Sequence, residues 1–455
     1  MTTTTQRRSI LNSEALTPGG INLSAKRSKR VVKFDIPFCK YSGRNIVEFD
    51  KLQGDMNLLL HFNKPGRKKI AAFWGGIMAL IVIESCKHDH VDLPLDDLSK
   101  PADSVGIDSS LRVVGDSLIL WLQGMQLDNG LVETSWNSNL VSLYDNALSA
   151  LVFTQAQDYA RAEAIFNYFN NRVASEMLFG SGGFFQFRSA AGQPQGNRWL
   201  GDNAWLLIAV NNYEAQTGNN QYYGLKEALT DWIVSQQDTD GGLWGGSDVN
   251  GNTIGKVTEA MIDAFNAVEG YTSFHEGILQ YIEVNRWDAG EQLPVSWPGS
   301  NYYYALDNFS WGFCAFEGFP VRIIDAADRF KTTQLHVNSG DSISGYCFDE
   351  DRDAVWMEGS AQMAVAYNKA GSVERVNEIL REIAKAVTFE PAIPNSLGLP
   401  YASNVGTGYG GDLLWSGSDV KPCTAAATWF IMAVRQFDPL ALNYEKQIPA
   451  NSKFW

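Results

Sequence analysis

From Ser109 onward the apolar positions follow two alternating patterns. In the first they form one stripe. Ala162, Ile165, Phe166, Phe169 and Val173 fall at i, i+3, i+4, i+7 and i+11, and Val376, Ile379, Leu380, Ile383 and Val387 repeat those offsets with charges between them. Such spacing predicts an amphipathic helix with a single buried face. Leu111, Val114, Leu118 and Trp121 give a similar stripe, as do Leu225, Ala228, Leu229, Trp232 and Ile233. Residues 275–284 and 321–330 are weaker members, the second preceded by Pro320 as a helix-start signal.

In the second pattern apolar residues occupy every face, which predicts a helix enclosed in a core. The stretch GDNAWLLIAVNNYEAQTGN, 201–219, opens with an acid and an amide before it turns apolar. Asp202 or Asn203 is placed to cap it and Gly218 to end it. Five other stretches resemble it: YDNALSALVF from Tyr144, TEAMIDAF from Thr258, LDNFSWGFCAF from Leu306, MEGSAQMAVAY from Met357 and CTAAATWFIMAV from Cys423. All but the last carry an acid near the start, at Asp145, Asp202, Glu259, Asp307 and Glu358, separated by 57, 57, 48 and 51 residues. A period of that size is one helical hairpin with its loops. WLQGMQLDNGL and WIVSQQDTDGGLW, 111 residues apart, echo each other two hairpins on. Turns at DNG, DTDGG and QTGNN fit the connections. The Val-, Thr- and Ser-rich stretch near 331–347 predicts a small β insertion before the fifth inner helix.

Six outer and six inner helices in alternation, with DNAW- and EGxAQ-like starts on the inner ones, resemble the (α/α)6 toroid of the six-hairpin glycosidases. The resemblance covers roughly residues 105–440. It implies an all-α fold and a glycosidase whose reacting groups are carboxylates at one mouth of the inner ring. Neighbouring families fit less well. The 2-epimerase relatives work with paired histidines, whereas only His275, on a predicted outer helix, and His336, in the insertion, lie beyond the N-terminal region. Terpenoid cyclases carry QxxxGxW repeats and a DxDD-type motif, which QQDTDGGLW and DEDRD do not match. Families of endo-mannanase type have an Asp pair where this chain has DN.

Composition narrows the partners. The net charge of −15 conceals an asymmetry: residues 1–85 carry 14 Lys+Arg against 6 Asp+Glu, leaving 22 against 45 in the rest. A body so acidic is a poor nucleic-acid binder and repels polyanions, so a neutral glycan is the expected partner. No Pro/Ser linker divides the body, which reads as one domain, 109–440, in a monomer, followed by a tail at 441–455.

The N-terminal region reads differently. IAAFWGGIMALIVI, 70–83, follows Arg67, Lys68 and Lys69 and is too short for a comfortable membrane span. A basic run, a short apolar run and small residues have the form of an export signal. IESC, ending at Cys86, resembles the bacterial lipoprotein signal box, with an unusual Glu84 at the place two before the cysteine. Residues 1–55 then read as a non-native or disordered extension before Met56, 56–86 as the signal and 87–108 as a tether. The resemblance implies lipid attachment at Cys86 and anchoring to a bacterial membrane, periplasmic or at the cell surface; a single N-terminal membrane anchor is the alternative.

Glycoside hydrolysis needs two carboxyl groups about the scissile bond, one to protonate the leaving oxygen and one to activate water or attack carbon. In a six-fold ring Asp202 faces Glu358 across the axis and Asp145 faces Asp307. Each acid read alone is an N-cap or a complement to the helix dipole; five at one mouth read as a catalytic set. Glu358, between Trp356 and Gly359, is the expected general acid, Asp202 the base, and Glu259 a substitute for either. Trp199, Trp205, Trp311 and Trp356 stand at the same helix starts, with Arg198, Asn203 and Asn308 beside them. Singly these indoles read as core, but beside the acids they read as substrate-binding platforms with polar donors. Loops GSGGFFQFR (180–188), SNYYY (300–304) and GYGGDLLW (408–415) are the expected cleft walls.

No cofactor is expected, and no metal. Cys39, Cys86, Cys314, Cys347 and Cys423 include no CxxC pair, and the last three read as buried thiols, with a disulfide as the alternative. DEDRD, 349–353, reads as a solvated acidic turn; the competing Ca²⁺ loop lacks the expected Gly and terminal Glu. GGLWGG and GTGYGG lack the Lys-Ser/Thr of a phosphate loop. The expected function is hydrolysis of a neutral oligo- or polysaccharide. The alternatives are a non-catalytic glycan-binding surface lipoprotein on the same fold and, third, a polysaccharide lyase.

Overall fold

A computed structural model describes residues 106–300, 302–405, 420–441 and 446–455. The expectations for the extension, the signal, Cys86 and nearly all of the tether lie outside these residues, as does the loop 408–415. Among the described residues no helix is long and apolar enough to cross a membrane.

Among the described residues twelve α-helices alternate between an outer and an inner ring. The outer ones are α1 (Ser109–Met125), α3 (Tyr159–Asn170), α5 (Tyr223–Ser235), α7 (Ser273–Asn285), α9 (Val321–Ala326) and α11 (Val373–Ala384). The inner ones are α2 (Leu143–Gln155), α4 (Leu200–Thr217), α6 (Thr258–Ala267), α8 (Leu306–Ala315), α10 (Met357–Lys369) and α12 (Thr424–Val434). Each inner helix packs on the next and α12 returns to α2, so the ring closes.

The two hydrophobic patterns match the two rings. On α11, Val376, Ile379, Leu380 and Ile383 are buried while charged neighbours face outward; on α3 the buried stripe is Ala162, Ile165, Phe166 and Phe169. The last members of both stripes fall past the helix ends: Val173 opens a π turn, Val173–Met177, and Val387 follows the end of α11. Inner helices are enclosed. Every residue of α12 is buried, and so is every residue of α4 from Leu200 to Tyr213. Gly218 ends α4 at φ 68°, a conformation that costs a side-chain-bearing residue about 1 kcal/mol or more.

The insertion is an antiparallel hairpin, β1 (Lys331–Leu335) and β2 (Ser342–Tyr346), paired in register from Lys331 with Tyr346 to Leu335 with Ser342. It reaches the inner ring through the Tyr346 N–H, which donates to Ser360 Oγ on α10 at 2.9 Å. Other strands are two-residue ladders in the loops that lead into the inner helices, such as Arg198–Trp199 against Gly246–Ser247. Cys314, Cys347 and Cys423 are buried free thiols. The stretch read as a tail docks on the body: Trp455 stacks on Phe316, and its indole N–H donates to Gly318 O at 3.0 Å.

Candidate active site

All five acids of the repeat lie at the N-terminal end of the inner ring, in the first turns of α2, α4, α6, α8 and α10. Their places within those turns decide between capping and chemistry. The N-caps are Ser142, Trp199, Val257, Ala305 and Trp356, so Asp145 and Asp202 are third helical residues, and Glu259, Asp307 and Glu358 are second. The expectation that Asp202 or Asn203 caps α4 is corrected, because Trp199 holds that position and no side chain caps the helix. Ser142 alone of these five caps with its side chain, accepting from the Asp145 N–H. The carboxyls therefore stand on the wall of the ring. A sixth, Asp263, sits one turn below the partly buried Glu259 and is itself buried.

Below the acids is an aromatic layer. Trp205, Trp311 and Trp429 occupy the same sixth helical position on α4, α8 and α12, so alternate inner helices each send one indole inward. Their ring centroids are 5.3, 5.6 and 6.3 Å apart. Tyr144 leans on Trp205 with centroids 5.5 Å apart.

Glu358 belongs to a hydrogen-bonded chain. Trp429 Nε1 donates to Tyr144 Oη at 2.8 Å, and Tyr144 Oη donates to Glu358 Oε1 at 2.8 Å. Gln362 Nε2 donates to the same Oε1 at 3.1 Å. Glu259 and Asp307 share a hydrogen bond side chain to side chain, and Asp307 Oδ1 also accepts from the Asn308 N–H at 2.8 Å. Asp202 takes backbone N–H groups, its own and that of Tyr144, and leaves Oδ2 without a partner.

Burial disfavours charge on every member of the set, and the spread of the outcome is informative. Glu358 is pushed up to about 8, chiefly by burial and further by Asp145 and Asp307, against the Tyr144 and Gln362 donors. Burial takes Asp202 to about 8 as well. Asp145, Glu259 and Asp263 are driven well above the ordinary range by burial, and nearby carboxyls add to the effect on each. Asp307 rises only to about 6, because Glu259 and the backbone N–H groups of Asn308 and Asp307 satisfy its charge. Asp307 is thus the ring carboxyl whose charge is best satisfied, whereas burial and nearby carboxyls work against charge on its neighbours.

The remaining expected site residues divide by role. Asn203 pairs reciprocally with Phe184, accepting its N–H at 2.8 Å and donating to its O at 3.0 Å, so it holds the 180–188 loop over the mouth. Arg198 spends its guanidinium on the carbonyls of Glu176 and Gly183, under the Phe185 ring. Trp205 and Trp311 face one another in the aromatic layer, and Trp356 packs on Phe348. Trp199 is half-buried, the one indole of the four with appreciable surface. Asn308 Oδ1 is buried without a partner.

Neither histidine reaches the mouth. His275 closes a capping box with Thr272 on α7 and bonds Val268 O at 2.9 Å, while His336 follows β1 with Nδ1 3.1 Å from Ser339 Oγ. The structure adds Tyr144, Asp263, Gln362 and Trp429 to the site. Two carried a readable signal, since Asp263 and Gln362 lie four residues after Glu259 and Glu358, on the same helix faces.

Solved structures share the architecture. A wild-type glycosidase aligns at TM-score 0.53 with 12% identity, covering 73% of this chain and 100% of its own. The cellobiose 2-epimerase from Spirochaeta thermophila DSM 6192 aligns at 0.51 with 13% identity, over 77% of this chain and 98% of that one. A D-mannose isomerase aligns at 0.52 with 11% identity, over 74% and 98%. No protein-family model matches the sequence, and no curated protein does. The chain has the (α/α)6 toroid fold that these glycosidases and sugar epimerases and isomerases share.

Proposed function

We propose that the chain is a glycoside hydrolase acting on a neutral oligo- or polysaccharide, with Glu358 as general acid and Asp307 as its ionised partner. One feature carries the reading: two carboxyls of one ring stand in unlike settings, Glu358 enclosed and pushed up to about 8 with Tyr144 and Gln362 on one oxygen, Asp307 rising only to about 6 because Glu259 and backbone N–H groups satisfy its charge. Opposed protonation of two nearby carboxyls is what acid and base roles at neutral pH require. Glu259, in direct hydrogen bond with Asp307, is too close to it to form a hydrolase pair, which needs about 5–9.5 Å. Those two act as one unit, with Glu259 lending its proton to hold the Asp307 charge. The pairing of Glu358 with Asp202 gives way here because Asp202, protonated to about 8, is a poor base at neutral pH.

Hydrolysis is favoured over epimerisation because the mouth carries carboxyls and neither His275 nor His336. A neutral substrate fits a mouth with so many acids. A glycosidase variant in complex with glucose is among the structures of like fold, with 12% identity.

The test is reducing-sugar release from a panel of neutral glucans, mannans and short oligosaccharides. Glu358→Gln and Asp307→Asn are each expected to lower kcat by about 10²–10⁴, and Asp202→Asn by less. Full activity in Glu358→Gln removes the site assignment. Wild-type protein that binds members of the panel but cleaves none favours the glycan-binding alternative.

A further inference from the structure

We infer that Tyr144, held by Trp429, is a positioning residue for Glu358: it places its phenolic proton on Oε1 and so makes Oε2 the oxygen that delivers a proton to the glycosidic oxygen. The inference rests on the reading of Glu358 as general acid.

The direction of each hydrogen bond follows from what the groups are able to do. An indole N–H only donates. Because Trp429 Nε1 donates to Tyr144 Oη, the phenol acts as acceptor there, and its single proton goes to Glu358 Oε1. Gln362, one turn further along α10, donates to the same oxygen. With two donors on Oε1, a neutral Glu358 carries its proton on Oε2.

The support is rigid. Trp429 is locked against Trp205 and Trp311, so the chain of bonds begins in the packed aromatic layer and ends at the mouth. Tyr144 comes from α2, Trp429 from α12 and Gln362 from α10, which lets three inner helices fix one carboxyl.

Charged and titratable groups face this assembly from each packed helix. Asp145 on α2 and Asp307 on α8 act on Glu358, Asp263 on α6 acts on Tyr144, and the Cys423 thiol at the start of α12 lies within the field of Glu358. The carboxyls oppose ionisation of Glu358, while the Tyr144 and Gln362 donors favour it.

In the reaction the Oε2 proton passes to the glycosidic oxygen as the carbon–oxygen bond breaks and its electron pair goes to that oxygen. Water adds to the carbon and gives its proton to Asp307. The new Glu358 carboxylate is received by donors already aimed at it, so little reorganisation accompanies the step.

Two measurements on the full chain test this: the pH profile of kcat/KM, and an infrared titration of the Glu358 carboxyl band, identified by its loss in Glu358→Gln. Tyr144→Phe keeps the ring and removes the donor. It is expected to lower kcat about ten- to a hundredfold, to leave KM little changed, and to move the basic limb and the carboxyl titration to higher pH. Trp429→Phe should shift both the same way by less, because the phenol then has a second direction for its proton. An unchanged or lowered Glu358 titration in Tyr144→Phe overturns the inference, and so does an unchanged basic limb while Glu358→Gln is inactive; in both cases the hydrolase reading stands. Full activity in Glu358→Gln removes the reading beneath it instead.

Discussion

Carboxyls whose neighbours are other carboxyls and indoles keep protons that water would remove, and that links the active site to stability. For Asp202 the folded value, about 8, lies above the ordinary 3.8, so the folded state binds the proton more tightly. The favourable contribution is complete below about pH 4 and is lost as pH rises towards 8, at about 1.4 kcal/mol per unit of separation. Asp202→Asn should therefore raise Tm by a few degrees at pH 9 and hardly at all at pH 4.5. A gap that stays constant across the range in calorimetry counts against a buried, protonated Asp202. For activity, the limbs of kcat/KM are expected near 6, from Asp307, and near 8, from Glu358. At this scale the sequence showed the acids through their period and concealed their partnerships. Ring symmetry alone pairs Asp202 with Glu358 across the axis, whereas protonation depends on which donors reach which oxygen, and the Tyr144 hydroxyl that reaches Glu358 comes from another helix. Trp429 was hidden for a related reason. It lies in the one repeat without an acid, although it shares the helical position of Trp205 and Trp311.

The outer helices were legible from a 3.6-residue stripe, the inner ones from apolar residues on every face behind a recurring polar start, and the hairpin from a Val-, Thr- and Ser-rich composition. Two-residue ladders have no period to read, yet they secure the loops about the mouth. Gly246 shows how tightly. It stands at φ 101° opposite Trp199, and a Cβ there would lie 1.9 Å from Arg198 O, a backbone atom that cannot swing away. Gly246→Ala is expected to cost more than about 2 kcal/mol, seen as a lower urea midpoint with an unchanged slope. Gly251→Ala, also at positive φ but with nothing within 4 Å, is the comparison and should cost about 1 kcal/mol. Equal costs for the two would mean that the close approach to Arg198 plays no part.

The ring is closed by its two ends. Thr424, first residue of α12, donates its N–H to Thr134 O at 2.9 Å and its hydroxyl to Glu133 O at 2.7 Å. Every inner helix thereby has two inner neighbours, and the fully buried α12 has no exposed face. Deleting residues 420–455 should uncover α2, α10 and the Trp205–Trp311 contact together, so the truncated chain is expected to lack cooperative thermal unfolding and to bind a hydrophobic dye. A soluble truncated form with a sharp transition would show that the ring tolerates a gap. The closure was foreseeable as a count of hairpins, but the seam was not, since 133–135 carries no pattern that marks it.

The packed indoles also make the molecule report on itself. Trp205, Trp311 and Trp429 lie within 6.3 Å of one another, so their electronic transitions mix and should give a strong near-ultraviolet circular dichroism band. One of the three is hydrogen-bonded through Tyr144 to Glu358. Light absorbed in that layer is therefore expected to follow whether the acid at the mouth holds its proton, and a near-ultraviolet band that stays unchanged through the Glu358 titration would show that it does not.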